Sequence, residues 1–348
     1  MQPLSASRFA FDPEKVELIL RQHIIGQDET IVRFRQQLNI IKAGLFDDRK
    51  PLLSTLFLGR TGVGKTEFVR TVAKAIHGNT NAFCRIDMNT LSQSHYSAAI
   101  TGAPPGYVGS KENISLFDDD LINGTSTRPG IVLFDEIEKA STDVVLSLMN
   151  ILDNGKLTLS SGNKTLKFHN CLIFMTSNLG ARTINKGILS RIKHSLLGEK
   201  NSPYLEAMER HFDPEFINRI GSVCCFNTLS ENHLPAIIKG LEQDLNLRLR
   251  SQNIVITLDD SVSAHLCSQG FNTQYGARAI ERQFSNLVLE PLAKALLNTD
   301  SSAPRSLLGT MNNESKDERI IFIPNNKNTL PQPCKPVAVR PLQEKNNG

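Results

Sequence analysis

No stretch of this chain approaches the run of about 18 apolar residues that a membrane-spanning helix needs. The first residues, Met-Gln-Pro-Leu-Ser-Ala-Ser-Arg, hold no apolar block of the kind a secretory signal carries. Both absences point to a soluble, cytoplasmic protein with no membrane partner. Cysteine is sparse: Cys84, Cys171, Cys224, Cys225, Cys267 and Cys334 form no Cys-x2-Cys pair, and most sit in apolar runs where a thiol packs as a small hydrophobe. Neither a disulfide framework nor a zinc site is expected. Excess charge is also lacking. The formal charge is +4, but Lys327, Lys335, Arg340 and Lys345 against Glu344 put three of those units in the last 23 residues. A nearly neutral body gives no electrostatic footprint for nucleic acid. There is no internal repeat, and 348 residues with 40% hydrophobic content can bury a large core in two or three domains.

What the sequence does contain is a phosphate-binding signature. Gly59-Arg60-Thr61-Gly62-Val63-Gly64-Lys65-Thr66 follows the apolar run Leu56-Phe57-Leu58 and leads into a helical pattern, Glu67 to Ile76, ended by Gly78. Glycines let successive backbone N–H groups curl around a polyphosphate, Lys65 supplies a point charge to the outer phosphates, and the Thr66 hydroxyl can hold Mg²⁺. Such a pattern arises by chance in a chain this long with a probability on the order of 1%. The strand before it and the helix after it reduce that further, so a nucleoside triphosphate is the expected ligand.

Five short apolar segments, Leu53 to Leu58, Ala82 to Ile86, Ile131 to Phe134, Cys171 to Thr176 and Val223 to Phe226, alternate with helical patterns. Strands separated by helix-length segments predict a parallel sheet covered on both faces, with ligand chemistry at the carboxyl ends of its strands. After Asn227 the texture becomes helical through His233 to Leu249, Asp260 to Gln269 and Ala277 to Leu297, with one strand, Ile254 to Leu258. Residues 300–317 are rich in Ser, Asn and charge, and Arg319 to Ile323 can add an edge strand. The expected organisation is an N-terminal tail at 1–10, a large nucleotide-binding domain at 11–228, a smaller helical domain at 229–324 and a disordered tail at 325–348.

Hydrolysis needs a carboxylate near the metal and a group that activates water. Ile131-Val132-Leu133-Phe134-Asp135-Glu136 ends a buried-looking strand in two acids, so Asp135 can face Mg²⁺ while Glu136 polarises the attacking water. A later strand, Leu172 to Thr176, delivers Ser177-Asn178 to the same sheet edge, where a neutral amide can hold water or the γ-phosphate without adding charge.

Together with Gly102-Ala103-Pro104-Pro105-Gly106-Tyr107-Val108-Gly109, Phe212-Asp213-Pro214-Glu215-Phe216-Ile217-Asn218-Arg219-Ile220, Ile24-Ile25-Gly26-Gln27 and Tyr275-Gly276-Ala277-Arg278, these residues resemble the Clp family of AAA+ unfoldases. The likeness is to the second ATPase module of ClpB and ClpA, over about Phe11 to Leu297. It implies a three-layer α/β/α P-loop NTPase sheet domain followed by a smaller α-helical lid, an ATP hydrolase using ATP and Mg²⁺, and a ring, a hexamer, of identical subunits. It further implies that Ile24 and Ile25 pack on adenine, and that Gly59, Thr61, Gly62, Val63, Gly64, Lys65, Thr66 and Glu67 form the nucleotide cradle. Asn178 becomes a first sensor, Arg219 a finger reaching the neighbour's γ-phosphate, and Arg278 a second sensor. Tyr107 and Val108 would line an axial pore and grip a protein substrate.

The chain departs from the family pattern after the pore tyrosine. Ser110-Lys111-Glu112-Asn113-Ile114 replaces an acidic Gly-Gly stretch, and of an arginine-rich segment only Arg128 remains. No Ile-Gly-Phe or Ile-Gly-Leu tripeptide lies between Asn185 and Pro203, so docking to a ClpP-type peptidase is not supported. Two rivals to the unfoldase stay open: a nucleotide-dependent scaffold or accessory ATPase of another bacterial system, and a nucleic-acid motor. Unfolded protein as the ATPase stimulant, against DNA, separates the last from the first.

Overall fold

The computed structural model describes residues 7–92, 116–158, 164–180, 203–268, 276–297, 305–312 and 319–325. The chain divides into two compact units, Met1–Ile237 with Phe271–Ala279, and Ile238–Gly270 with Ile280–Gly348. Among the described residues no helix is long and apolar enough to cross a membrane.

The first unit is built on a five-stranded sheet. Its strands are β1 (Leu53–Leu58), β2 (Cys84–Asp87), β3 (Gly130–Asp135), β6 (Cys171–Ser177) and β7 (Ser222–Cys225), in the order β2-β3-β6-β1-β7. All four pairings are parallel, as the alternation of strands and helices predicts. A small antiparallel hairpin, β4 (Lys156–Thr158) and β5 (Thr165–Lys167), stands apart from it. The helices are α1 (Pro13–His23), α2 (Asp28–Lys42), α3 (Lys65–His77), α4 (Asp119–Asn123), α5 (Thr142–Asn154), α6 (Pro203–His211) and α7 (Pro214–Ile217).

Successive strand side chains point to opposite faces, so an apolar run without alternation supplies both layers at once. Ile131 and Leu133 of β3, with Leu172 and Phe174 of β6, enter one cluster alongside Phe34 of α2 and Phe68, Val69, Val72 and Ile76 of α3. Val132, Phe134, Ile173 and Met175 enter the opposite cluster with Val144, Leu148, Ile151 and Leu152 of α5. Phe57 sits at the centre of the first layer. Its ring lies 5.0 Å from Phe68, 4.9 Å from Phe226 and 5.6 Å from Phe174, centroid to centroid. Edge and tilted aromatic pairs of this kind add to the area they bury.

The second unit contains most of α8 (Leu234–Leu249), then β8 (Ile254–Leu258), α9 (Asp260–Ser268), the greater part of α10 (Ala277–Phe284), a π-helical turn at Ser285–Leu289, and α11 (Glu290–Leu297). A three-stranded sheet in the order β10-β9-β8 completes it, with β9 at Arg305–Asn312 and β10 at Arg319–Pro324. β9 pairs parallel with β8 and antiparallel with β10. The polar composition around residue 310 conceals this central strand. Asn246 fixes helix to sheet by a two-way bond: its Nδ2 donates to the Ile256 carbonyl at 2.9 Å, and Ile256 N–H donates to its Oδ1 at 2.8 Å.

Truncating the central ring tests the packing of the first unit. Phe57→Ala should lower unfolding stability by about 3–5 kcal/mol, read from the urea midpoint, because the cavity is walled by rigid strands. A loss below about 1 kcal/mol would show that the layer can collapse into the space.

Candidate functional site

The phosphate loop begins where β1 ends. Gly59 N–H donates to the Ser177 carbonyl at 3.3 Å, tying the loop to the neighbouring strand β6. Gly62 and Gly64 take φ of 77° and 100°, values that L side chains rarely adopt, and Gly64 caps α3 without a side chain. The first turn of α3 therefore presents unspent N–H groups and the positive end of the helix dipole to whatever the loop encloses.

Lys65 is 7% exposed. Its Nζ donates to the Gly59 carbonyl at 2.6 Å, the Arg60 carbonyl at 2.9 Å and Asn178 Oδ1 at 2.8 Å. Burial pushes its pKa down to about 8, opposed by the negative charges of Glu138, Asp135 and Glu136 and assisted by Arg278. At neutral pH the ammonium still carries most of its charge.

The acids at the end of β3 are held in different ways. Asp135, 7% exposed, accepts from Arg85 on Oδ2, Nε at 3.0 Å and Nη2 at 2.6 Å, while the Thr176 hydroxyl donates to its Oδ1. Glu136 takes φ of 58°, one of only two non-glycine residues with positive φ among those described. A strained backbone persists only where its surroundings enforce it, and it clusters at working sites. Glu136 N–H donates to Thr176 Oγ1 at 3.0 Å. One hydroxyl thus braces both acids.

Asn178 joins the pieces. Its Oδ1 accepts from Lys65, and its Nδ2 donates to Glu136 Oε1 at 3.0 Å. The second Glu136 oxygen accepts from Asn89 Nδ2 at 2.6 Å. Asn178 N–H donates to Glu138 Oε1 at 3.1 Å. A glutamate that accepts from two amides is held in one direction, which suits a group that must orient water.

Ile24 is buried and Ile25 half-buried at the turn between α1 and α2. Gln27, next to them, ties this turn to the loop: Nε2 donates to the Asn227 carbonyl at 3.0 Å and to the Val63 carbonyl at 3.4 Å, and Asn227 N–H donates back to Oε1 at 2.8 Å. Ala277 N–H donates to the Gly62 carbonyl at 2.9 Å, which brings Arg278 to the loop. Gly276 must be glycine there, since a Cβ would lie 2.5 Å from the Gly62 oxygen and its φ is 54°. Arg219 belongs to a different place, bonded to Asp153 and to the Glu215 carbonyl. Tyr107 and Val108 lie outside the described residues.

Arg85, Asn89, Thr176 and Glu138 have no motif of their own, and Gln27 is legible only as the last residue of the Ile24–Gln27 string, not for the bonds it makes. Asn89 carried the only faint signal, as a polar residue just beyond a strand on the edge where ligands bind. Asp135 and the Thr66 hydroxyl are hard oxygen donors that fit Mg²⁺, which takes one or two protein oxygens and completes its octahedron with phosphates and water.

Thr176→Val keeps the shape and removes the brace. Glu136 N–H then loses its partner, so stability should drop by about 1–3 kcal/mol and kcat should fall with KM little changed. A variant with parental kcat would show that the hydroxyl is not needed to aim the acids.

Comparison with known proteins gives the chain its relatives. Residues 50–223 match the family model described as AAA domain (Cdc48 subfamily), and residues 229–307 match that of the C-terminal, D2-small domain of ClpB protein. The chain is 45% identical over 302 residues to the ATP-dependent protease ATP-binding subunit-like protein AmiB of Pseudomonas aeruginosa, covering 84% of this chain and 81% of that protein. It is 37% identical over 287 residues to the negative regulator of genetic competence ClpC/MecB of Bacillus subtilis, covering 81% of this chain and 35% of that protein. A closed-state cryo-EM reconstruction of Hsp104 with ATPγS and FITC casein superposes with a TM-score of 0.74 at 28% identity, over 90% of this chain and 51% of that one.

Proposed function

The chain belongs to the Clp family of AAA+ ATPases and is an ATP hydrolase, and we propose that it works as a ring-forming motor that unfolds or remodels protein substrates. The Asn178 bridge between Lys65 and Glu136 supports the hydrolytic part of this reading, because it gathers a phosphate ligand, a neutral sensor and a water-activating acid within hydrogen-bond reach.

Lys65 and the N-terminus of α3 hold the outer phosphates, exchanging the loop carbonyls on Lys65 for phosphate oxygens. Thr66 and Asp135 would hold Mg²⁺, which offsets charge on the β- and γ-phosphates. Glu136 takes the proton of the attacking water, whose oxygen bonds to the γ-phosphorus as the β–γ phosphoanhydride bond breaks to release ADP and phosphate, while the Asn178 amide holds the Glu136 carboxylate in place. Arg219 of one subunit completes the site of the next, a contribution worth roughly 10³ to 10⁵ in rate in well-studied nucleotidases. Arg278, held near the loop through Ala277, reports nucleotide to the helical unit. Tyr107 and Val108 grip the substrate in the pore of a hexamer. Relatives named as ClpB chaperones support action on protein.

Steady-state ATPase measurement on Glu136→Gln tests the chemistry. The variant should bind ATP yet turn over at least about 100-fold more slowly than the parent. A parent as slow as the variant would leave a nucleotide-dependent scaffold. Tyr107→Ala should keep basal turnover and lose processing of an unfolded reporter protein, and intact processing would remove the pore role. Mass measurement with a slowly hydrolysed ATP analogue should find the hexamer.

A further inference from the structure

The ion pair between Arg219 and Asp153 joins two elements that no motif connects. α7 is a single turn, too short to hold a long side chain that follows it. The Arg219 guanidinium is instead held from two sides: Nε donates to Asp153 Oδ2, and Nη1 donates to the Glu215 carbonyl at 2.8 Å, with the Glu215 carboxylate 3.7 Å away. The two side chains are 29% and 37% exposed, so solvent screens the pair only in part. A guanidinium cannot shed its proton, and in a half-buried setting it needs an anion.

Asp153 is the next-to-last residue of α5. That helix starts after the 3₁₀ turn Ile137–Lys139, which follows Glu136 directly. Val144, Leu148, Ile151 and Leu152 of α5 share one apolar cluster with Phe216 of α7 and Phe134 of β3. Close-packed interiors transmit strain, and this cluster is a contiguous packed route from the strand that ends in the acid pair to the helix that carries Asp153.

We infer that Asp153 is a positioning residue for Arg219: it tethers the arginine within its own subunit, and the state of that subunit's own acid pair, passed along α5, sets how readily the arginine leaves for the phosphates of the neighbour. This rests on the reading of Arg219 as a finger acting in trans. Asp153 and the γ-phosphate are rival oxyanion partners for one guanidinium, and both favour the same charge-assisted bonds. While the neighbouring pocket is empty, Asp153 supplies the anion. When it is filled, the phosphate competes.

The test uses the full chain and ATP hydrolysis measured across protein and ATP concentrations for the parent, Asp153→Asn, Asp153→Glu and Arg219→Ala. Asp153→Asn should raise turnover at limiting ATP by about two- to fivefold, the range that a partly exposed ion pair supports. It should also bring the Hill coefficient for ATP towards unity without changing nucleotide Kd, and Asp153→Glu should restore parental cooperativity. Should the Asn variant misfold, Asp153→Ser must show the same two changes. A parental Hill coefficient in the neutral variant, or a loss of rate matching Arg219→Ala, overturns the inference. The finger reading fails separately, if Arg219→Ala itself hydrolyses ATP at the parental rate.

Discussion

Opposite charges have to converge at one edge of a parallel sheet without collapsing onto each other, and a neutral amide makes this possible. β6 lies between β1 and β3, with Leu58 opposite Ser177 and Phe134 opposite Met175. The residue that follows β6 therefore stands between the loop after β1 and the acid after β3. Only a side chain that accepts and donates at once can satisfy both. A carboxylate at position 178 would bind Lys65 and repel Glu136, and a cation would do the reverse. Asn178 does neither, so its bonds to Lys65 and Glu136 keep the two charges apart while satisfying both.

The strain at Glu136 follows from the same need. Turning the chain abruptly after β3 puts the second acid out of the strand direction and towards the amides of Asn89 and Asn178. The left-handed backbone there is balanced by Thr176, which accepts from Glu136 N–H and donates to Asp135. Beneath the edge, the two apolar layers keep β3 and β6 in register, since a slip of one residue would turn every side chain to the other face. Chemistry at the edge and packing in the middle are thus one constraint.

The apolar runs and the glycine-rich loop made much of the first unit legible, because an unbroken apolar strand already means burial on both faces. Asp135 and Glu136 were legible for the same reason, as charges at the end of such a strand. Arg85 and Asn89 were not, and of Gln27 only its place in the Ile24–Gln27 string was legible, not its partners. Each acts on residues from about 36 to 200 positions away, and pairing over such distances is set by strand order. β9 was hidden as well: its short apolar pair Leu307-Leu308 is set among Ser, Asn and charged residues, and its place between β8 and β10 comes from backbone pairing rather than from pattern.

By itself, the order of residues determined that a triphosphate-binding loop follows a buried strand, that a pair of acids ends another, and that a second, helix-rich region comes after, because these features depend on local periodicity and on neighbours in the chain. Tertiary structure alone decided the strand order that sets Asn178 between Lys65 and Glu136, the hydroxyl of Thr176 that braces two acids, and the carboxylate of Asp153 that holds Arg219. Those contacts join elements far apart in the chain, and which elements meet is settled by how two apolar layers close on one sheet.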